Sequence, residues 1–124
     1  MSKKRRAQNP LVLSYAGCST CKKALKWLAE HDVQVDVRPI ATSPPSAEEL
    51  TAWVPKSGRP LRKWLNTSGL SYRALDKQRL DAAKDEEIIR WLTQDGKLVK
   101  RPVLVLADSV LVGFDVKAYA AAFA

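Results

Sequence analysis

The sequence has 124 residues, 46% of them hydrophobic and 27% charged, with a formal net charge of +8. That length buries one real core and no second one, so a single globular domain is expected, with residues 1–9 as a basic, disordered tail and residues 10–124 as the domain. The longest apolar runs are too short to cross a bilayer, and no apolar region that could serve as a secretory signal follows Lys3-Lys4-Arg5-Arg6, so membrane insertion and export are not expected.

The first predicted element is a short buried strand, Leu11-Val12-Leu13-Ser14-Tyr15. A helix follows, because Cys21, Ala24, Leu25 and Leu28 recur at i, i+3, i+4 and i+7. Between the two lies Cys18-Ser19-Thr20-Cys21, which puts Cys18 at or just before the helix N-terminus. There the unpaired backbone N–H groups and the positive end of the helix dipole favour an anion, which for a thiol means more thiolate at neutral pH. Cys21, one turn on, is placed to resolve a mixed disulfide on Cys18 provided its face is not wholly buried. The order strand, CxxC, helix is the thioredoxin-like arrangement, and in the reducing cytoplasm expected for this chain a CxxC is more often catalytic or sensing than structural. The alternative is that both cysteines are small buried hydrophobes. Two cysteines and the single histidine, His31, are too few soft ligands for a closed zinc site, so no metal is expected, and His31 reads as a cap for the end of its helix.

Val33, Val35 and Val37 then alternate with polar residues, the period of a half-buried strand, which completes a parallel βαβ unit ended by Pro39 and the Thr42-Ser43-Pro44-Pro45 cluster. From Ser46 to about Gln94 no convincing strand is found. Ser46 and Glu49 form a capping box ahead of a stripe of Leu50, Trp53 and Val54 that should stop at Pro55. A second stripe, Leu61, Trp64 and Leu65, closes at Asn66-Thr67-Ser68-Gly69, and a short helix is expected around Tyr72 and Leu75. Asp85-Glu86-Glu87 opens another helix with Ile88, Trp91 and Leu92 inward and Asp95-Gly96 as its stop. The four tryptophans are all expected to be packing residues.

Val103-Leu104-Val105-Leu106 and Val110-Leu111-Val112 then read as an antiparallel hairpin, and Asp115 caps a last helix with Val116, Tyr119, Ala120 and Phe123 on one face. The expected fold is therefore α/β: a thioredoxin-like core of βαβ and ββα halves around a mixed sheet, interrupted by a helical insertion at about residues 46–96. In such a core the proline opening the third strand, Pro102, is usually cis and faces the first cysteine, which would carry Arg101 to the mouth of the site. Residues 56–79 hold seven Lys or Arg against one acid, Asp76, so an anionic partner is expected somewhere on the surface. No aromatic series is interleaved with these charges, and specific nucleic-acid binding is not expected.

Four ordered motifs, CSTCKKALKWL, NTSGLSYRAL, VKRPVLV and LVGF, make the chain resemble the arsenate reductase and Spx-type (ArsC-like) family from Leu11 to Phe123. The resemblance implies Cys18 as nucleophile, Cys21 as its redox partner, and Ser19, Thr20, Arg62, Arg101 and Pro102 as substrate-binding residues. It also implies no tightly bound cofactor, with glutathione as cosubstrate or a glutaredoxin- or thioredoxin-type protein as reductant. Two departures argue against arsenate itself as substrate. Leu111-Val112-Gly113-Phe114 lacks the family's third arginine, and Leu13-Ser14-Tyr15-Ala16 lacks its histidine. The second cysteine resembles the Spx-type and thiol-reductase branches. Spx-type regulators bind RNA polymerase and usually continue past the last helix, where this sequence stops at Ala124, and NTSG is closer to the reductase-like branch. The expected function is a thiol–disulfide or glutathione-linked reductase. The alternatives are an Spx-like redox-sensing regulator and a non-catalytic family member.

Overall fold

The computed structural model describes residues 9–124; the expected tail lies outside the described residues except for Asn9, whose side-chain amide donates to Asp36 Oδ1 at 3.4 Å. Strand β1 (Leu11–Ser14) leads into α1 (Ser19–Glu30), and β2 (Asp36–Pro39) returns beside β1 in parallel. The insertion follows as α2 (Ala47–Ser57), a 3-10 turn at Leu61–Trp64, α3 (Leu70–Arg73), α4 (Lys77–Ala82), α5 (Asp85–Gln94) and a second 3-10 turn at Gly96–Leu98. The chain ends with β3 (Val103–Val105), β4 (Val110–Val112) and α6 (Val116–Ala122). The mixed sheet has the order β2-β1-β3-β4, with β3 antiparallel to both β1 and β4. This is the α/β, thioredoxin-like architecture expected from the sequence.

The period of two along the strands divides the core between the faces of this sheet. Leu13 pairs with Val103 and Val103 with Val112, and all three pack with Ile40, Leu50, Trp64 and Leu92 under the insertion. Val12 pairs with Leu104 on the other face, under Ala24 and Leu28 of α1 and Tyr119 of α6. The insertion is clamped to the edge of the sheet by Arg38, whose guanidinium makes two 2.8 Å bonds to the Glu49 carboxylate. Glu49 also completes the expected capping box with Ser46.

Several local readings are corrected. The second strand begins at Asp36 rather than Val33. Val33 and Val35 pack against the α1 side of the core before it starts, and Val37, on an edge strand, is 54% exposed. Helix α2 runs through Pro55, since a proline in the last turn forfeits a single backbone bond, and it stops at Gly58, whose φ of 68° forms the left-handed cap. The one helix expected around Tyr72 and Leu75 is two short ones, separated where Asp76 caps α4 by accepting from Gln78 N–H. In α6 only Tyr119 of the predicted stripe is buried; Val116 and Ala120 face out and Phe123 is half-buried. Trp91 is likewise half-buried beside the fully inward Ile88 and Leu92. His31 does cap α1, its Nδ1 lying 2.8 Å from Trp27 O and its ring stacked on the indole.

Candidate functional site

Cys18 is the N-cap of α1, with an extended backbone and a side chain that accepts from Cys21 N–H at 3.2 Å. The preceding turn is closed by Cys18 N–H donating to Tyr15 O at 3.0 Å. Its sulfur therefore lies where the first orphan N–H groups of a 12-residue helix converge. Burial alone would raise this thiol, but hydrogen bonds from the Cys21 side chain and backbone and from the Arg101 guanidinium, with that cation's charge, outweigh burial and hold Cys18 below the ordinary thiol value. The opposite holds for Cys21. Burial pushes it up to about 11, helped by the neighbouring Cys18 and only partly offset by Tyr15 and Ser14.

The two cysteines differ equally in access. Cys18 is half-buried and lines an open cleft of about 470 Å³, whereas Cys21 is fully buried. The condition set for Cys21 as a resolving thiol, a face not wholly buried, is thus not met toward solvent. Cys21 does lie against Cys18, its backbone N–H donating to Cys18 Sγ at 3.2 Å. A reagent in the cleft meets Cys18 alone.

Arg101 arrives as expected, through a cis Arg101–Pro102 bond. Its guanidinium is fixed from two sides, by Nη1 donating to Lys97 O at 3.0 Å and by the face of the Tyr15 ring, 4.6 Å away. Arg101 Nε is buried without a partner. Ser19 and Thr20 line the cleft. Pro102 does not: it is buried behind the wall, where its carbonyl accepts from Gly113 N–H at 2.8 Å. Arg62 is not brought to the cleft either. Its two Nη atoms donate to Leu80 O at 2.9 Å and Ala83 O at 2.7 Å, so the guanidinium ties down the end of α4 instead of facing the cysteines.

The far wall contains residues to which the sequence reading gave no role: Asn66, Ser68, Gly69, Lys100, Gly113 and Phe114. They lie within the NTSG, VKRPVLV and LVGF motifs, so the signal was present without its meaning. A short antiparallel pairing gathers them, with Asn66 N–H donating to Leu98 O and Lys100 N–H to Trp64 O, each at 2.7 Å, around the Leu65–Val99 bridge. Gly69 lies close under the Asn66 amide, a Cβ there standing 2.7 Å from Asn66 Nδ2. Among the described residues no group of three or more His, Cys, Asp or Glu could hold a metal ion, and no helix is long and apolar enough to cross a membrane.

A mixed sheet with a cleft-lining cysteine at the N-cap of the first helix and a cation beside it defines a thioredoxin-like domain with a CxxC thiol pair. Within that class, the ArsC family model matches residues 13–122, and the chain belongs to the ArsC family. It is 46% identical over 101 residues to the uncharacterized protein YusI of Bacillus subtilis (strain 168), spanning 81% of this chain and 86% of that one. The crystal structure of a putative ArsC family related protein from Bacteroides fragilis superposes with a TM-score of 0.88 at 44% identity, covering 94% of this chain and 98% of that one. The global transcriptional regulator Spx of Streptococcus mutans serotype c is 28% identical over 98 residues, 79% of this chain and 71% of the regulator.

Proposed function

We propose that the protein is a thiol-dependent oxidoreductase that reduces disulfides in a reducing cytoplasm. The observation that supports this most is the unequal thiol pair: Cys18 open to the cleft and held toward thiolate, Cys21 sealed behind it and pushed up to about 11. The Cys18 thiolate attacks one sulfur of an oxidised substrate R–S–S–R′, forming a Cys18–S–S–R mixed disulfide and releasing R′S⁻, which takes up a proton. Cys21, on losing its proton, attacks Cys18 Sγ and expels RS⁻. Two electrons have then passed to the substrate, and a Cys18–Cys21 disulfide remains. Glutathione as cosubstrate, or a glutaredoxin- or thioredoxin-type protein, returns the electrons, and glutathione can also resolve the Cys18 adduct directly. Arsenate is not favoured, because Arg62 is held by backbone carbonyls of the insertion and, among the described residues, the cleft wall offers no guanidinium besides Arg101.

The likeness to Spx supports a second reading, a regulator that binds RNA polymerase and uses the cysteine pair as an oxidation switch. The test is steady turnover of a small disulfide with glutathione as reductant. Loss of turnover in Cys18→Ser and arrest at a Cys18 mixed disulfide in Cys21→Ser, seen by intact mass, are the expected results. A Cys18 whose alkylation rate titrates at the free-thiol value of roughly 8.5 overturns the enzyme reading. Oxidation-dependent co-purification with RNA polymerase in the absence of turnover favours the regulator, and neither behaviour leaves a non-catalytic family member.

A further inference from the structure

Two cations, Lys100 and Arg101, line the cleft, and among the described residues its wall contains no carboxylate. They are adjacent in sequence and differ in how they are held. Arg101 is fixed against Tyr15 and Lys97 O with its charge directed to Cys18, and so it serves the reacting sulfur. Lys100 is exposed and makes no ion pair with any described residue. Its backbone is pinned by the 2.7 Å bond to Trp64 O, and its stem crosses Gly113, with Cε 3.5 Å from where a Cβ would stand. Gly113, at φ 82°, is a bare floor over which the lysine reaches the cleft. The polar side chains of Asn66 and Ser68 complete the same wall.

We infer that Lys100 is a specificity-determining residue that selects substrates carrying a carboxylate beside the sulfur that Cys18 attacks, so that the cleft prefers anionic small disulfides to neutral ones. This rests on the reading of Cys18 as nucleophile. The ammonium supplies attraction that acts on the anionic partner as it enters, in a cleft where no acid of the protein competes for it. Arg101 cannot swing to meet a partner entering the cleft, because its guanidinium is fixed on Lys97 O and the Tyr15 face. The covalent chemistry is unchanged; Lys100 contributes only to which disulfide reaches the sulfur.

Two paired measurements test this. Alkylation of Cys18 by iodoacetate and by iodoacetamide compares an anionic with a neutral reagent at one sulfur without requiring turnover. Reduction of an anionic disulfide, 3,3′-dithiodipropionate, is compared with that of neutral bis(2-hydroxyethyl) disulfide. In Lys100→Gln the anionic-to-neutral ratio of both pairs falls by up to roughly fivefold, the span expected of one exposed charge, falls further in Lys100→Glu, and is kept in Lys100→Arg. Ratios that are the same in wild type, Lys100→Gln and Lys100→Glu overturn the inference. Should turnover be absent while the alkylation ratio falls, the enzyme reading fails and Lys100 as the anion-selecting group stands. Should turnover proceed with both ratios unmoved, only the role of Lys100 fails.

Discussion

One wall of the cleft is a continuous stretch, residues 17–20, running from the end of β1 into the first turn of α1. The other is collected from residues 66–69, 100–101 and 113–114, brought together by the pairing of residues 64–66 with 98–100 and by the bond from Gly113 N–H to Pro102 O. The first wall carries Cys18, and its geometry needs only a strand, a cap and a helix. The second carries both cations and depends on the whole insertion being correctly seated. The placement of the thiol is thus encoded locally, whereas the wall opposite it depends on distant segments meeting.

That contrast can be broken at either wall. The largest expected effect is on the local one: Cys18→Ser removes disulfide turnover altogether, since Cys21 is buried and cannot be reached from the cleft, and a variant that still turns over would dissolve the distinction. Next, Gly96→Ala should damage the assembled wall through the fold. A Cβ there runs into the Ile40 carbonyl, backbone that cannot step aside, so thermal denaturation should show a loss of about 3 kcal/mol. Arg101→Gln separates the walls without unfolding either. Alkylation of Cys18 in wild type should rise with pH through a midpoint below that of an ordinary thiol, while Cys21 stays protonated until near pH 11. The substitution removes the positive charge that helps hold Cys18 below the ordinary thiol value, so the Cys18 midpoint should move up and its rate at neutral pH should fall several-fold, with Cys21 still unreactive. The smallest effect belongs to Arg62→Ala. It should lower stability by about 1 kcal/mol, because Ala83 O loses its partner while Leu80 O still accepts from Ala83 N–H, read by denaturant melts, and leave the Cys18 alkylation midpoint where it was.

The same division explains what was legible in the sequence. β1, the capping position of Cys18, α1, the β3–β4 hairpin and the cis proline all follow from short-range patterns or from the order of those patterns, and the structure has each of them. The insertion was readable only as helices without strands. Its boundaries depend on glycine and aspartate caps that compete with a more conspicuous proline, as Gly58 prevails over Pro55 in α2. Arg62 shows the limit most clearly. A guanidinium in the 3-10 turn at Leu61–Trp64 could serve an anion or two carbonyls equally well, and the choice is made by where the end of α4 comes to lie, 18 and 21 residues later. Lys100 and Asn66 were within quoted motifs, yet nothing in their local pattern says that they share a surface with Cys18.

The turn at Gly96–Leu98 has a consequence for how this site can vary. Lys97 O accepts both Arg101 Nη1 at 3.0 Å and Asn66 Nδ2 at 3.3 Å, so a single peptide oxygen aligns the guanidinium and the amide, while Gly96 wedges that peptide against the end of β2. Because the hinge point is main chain, the lysine can be exchanged for almost any residue, but adding or deleting one residue here would swing both groups out of the cleft wall together. Loop length at this corner is frozen even where its side chains drift.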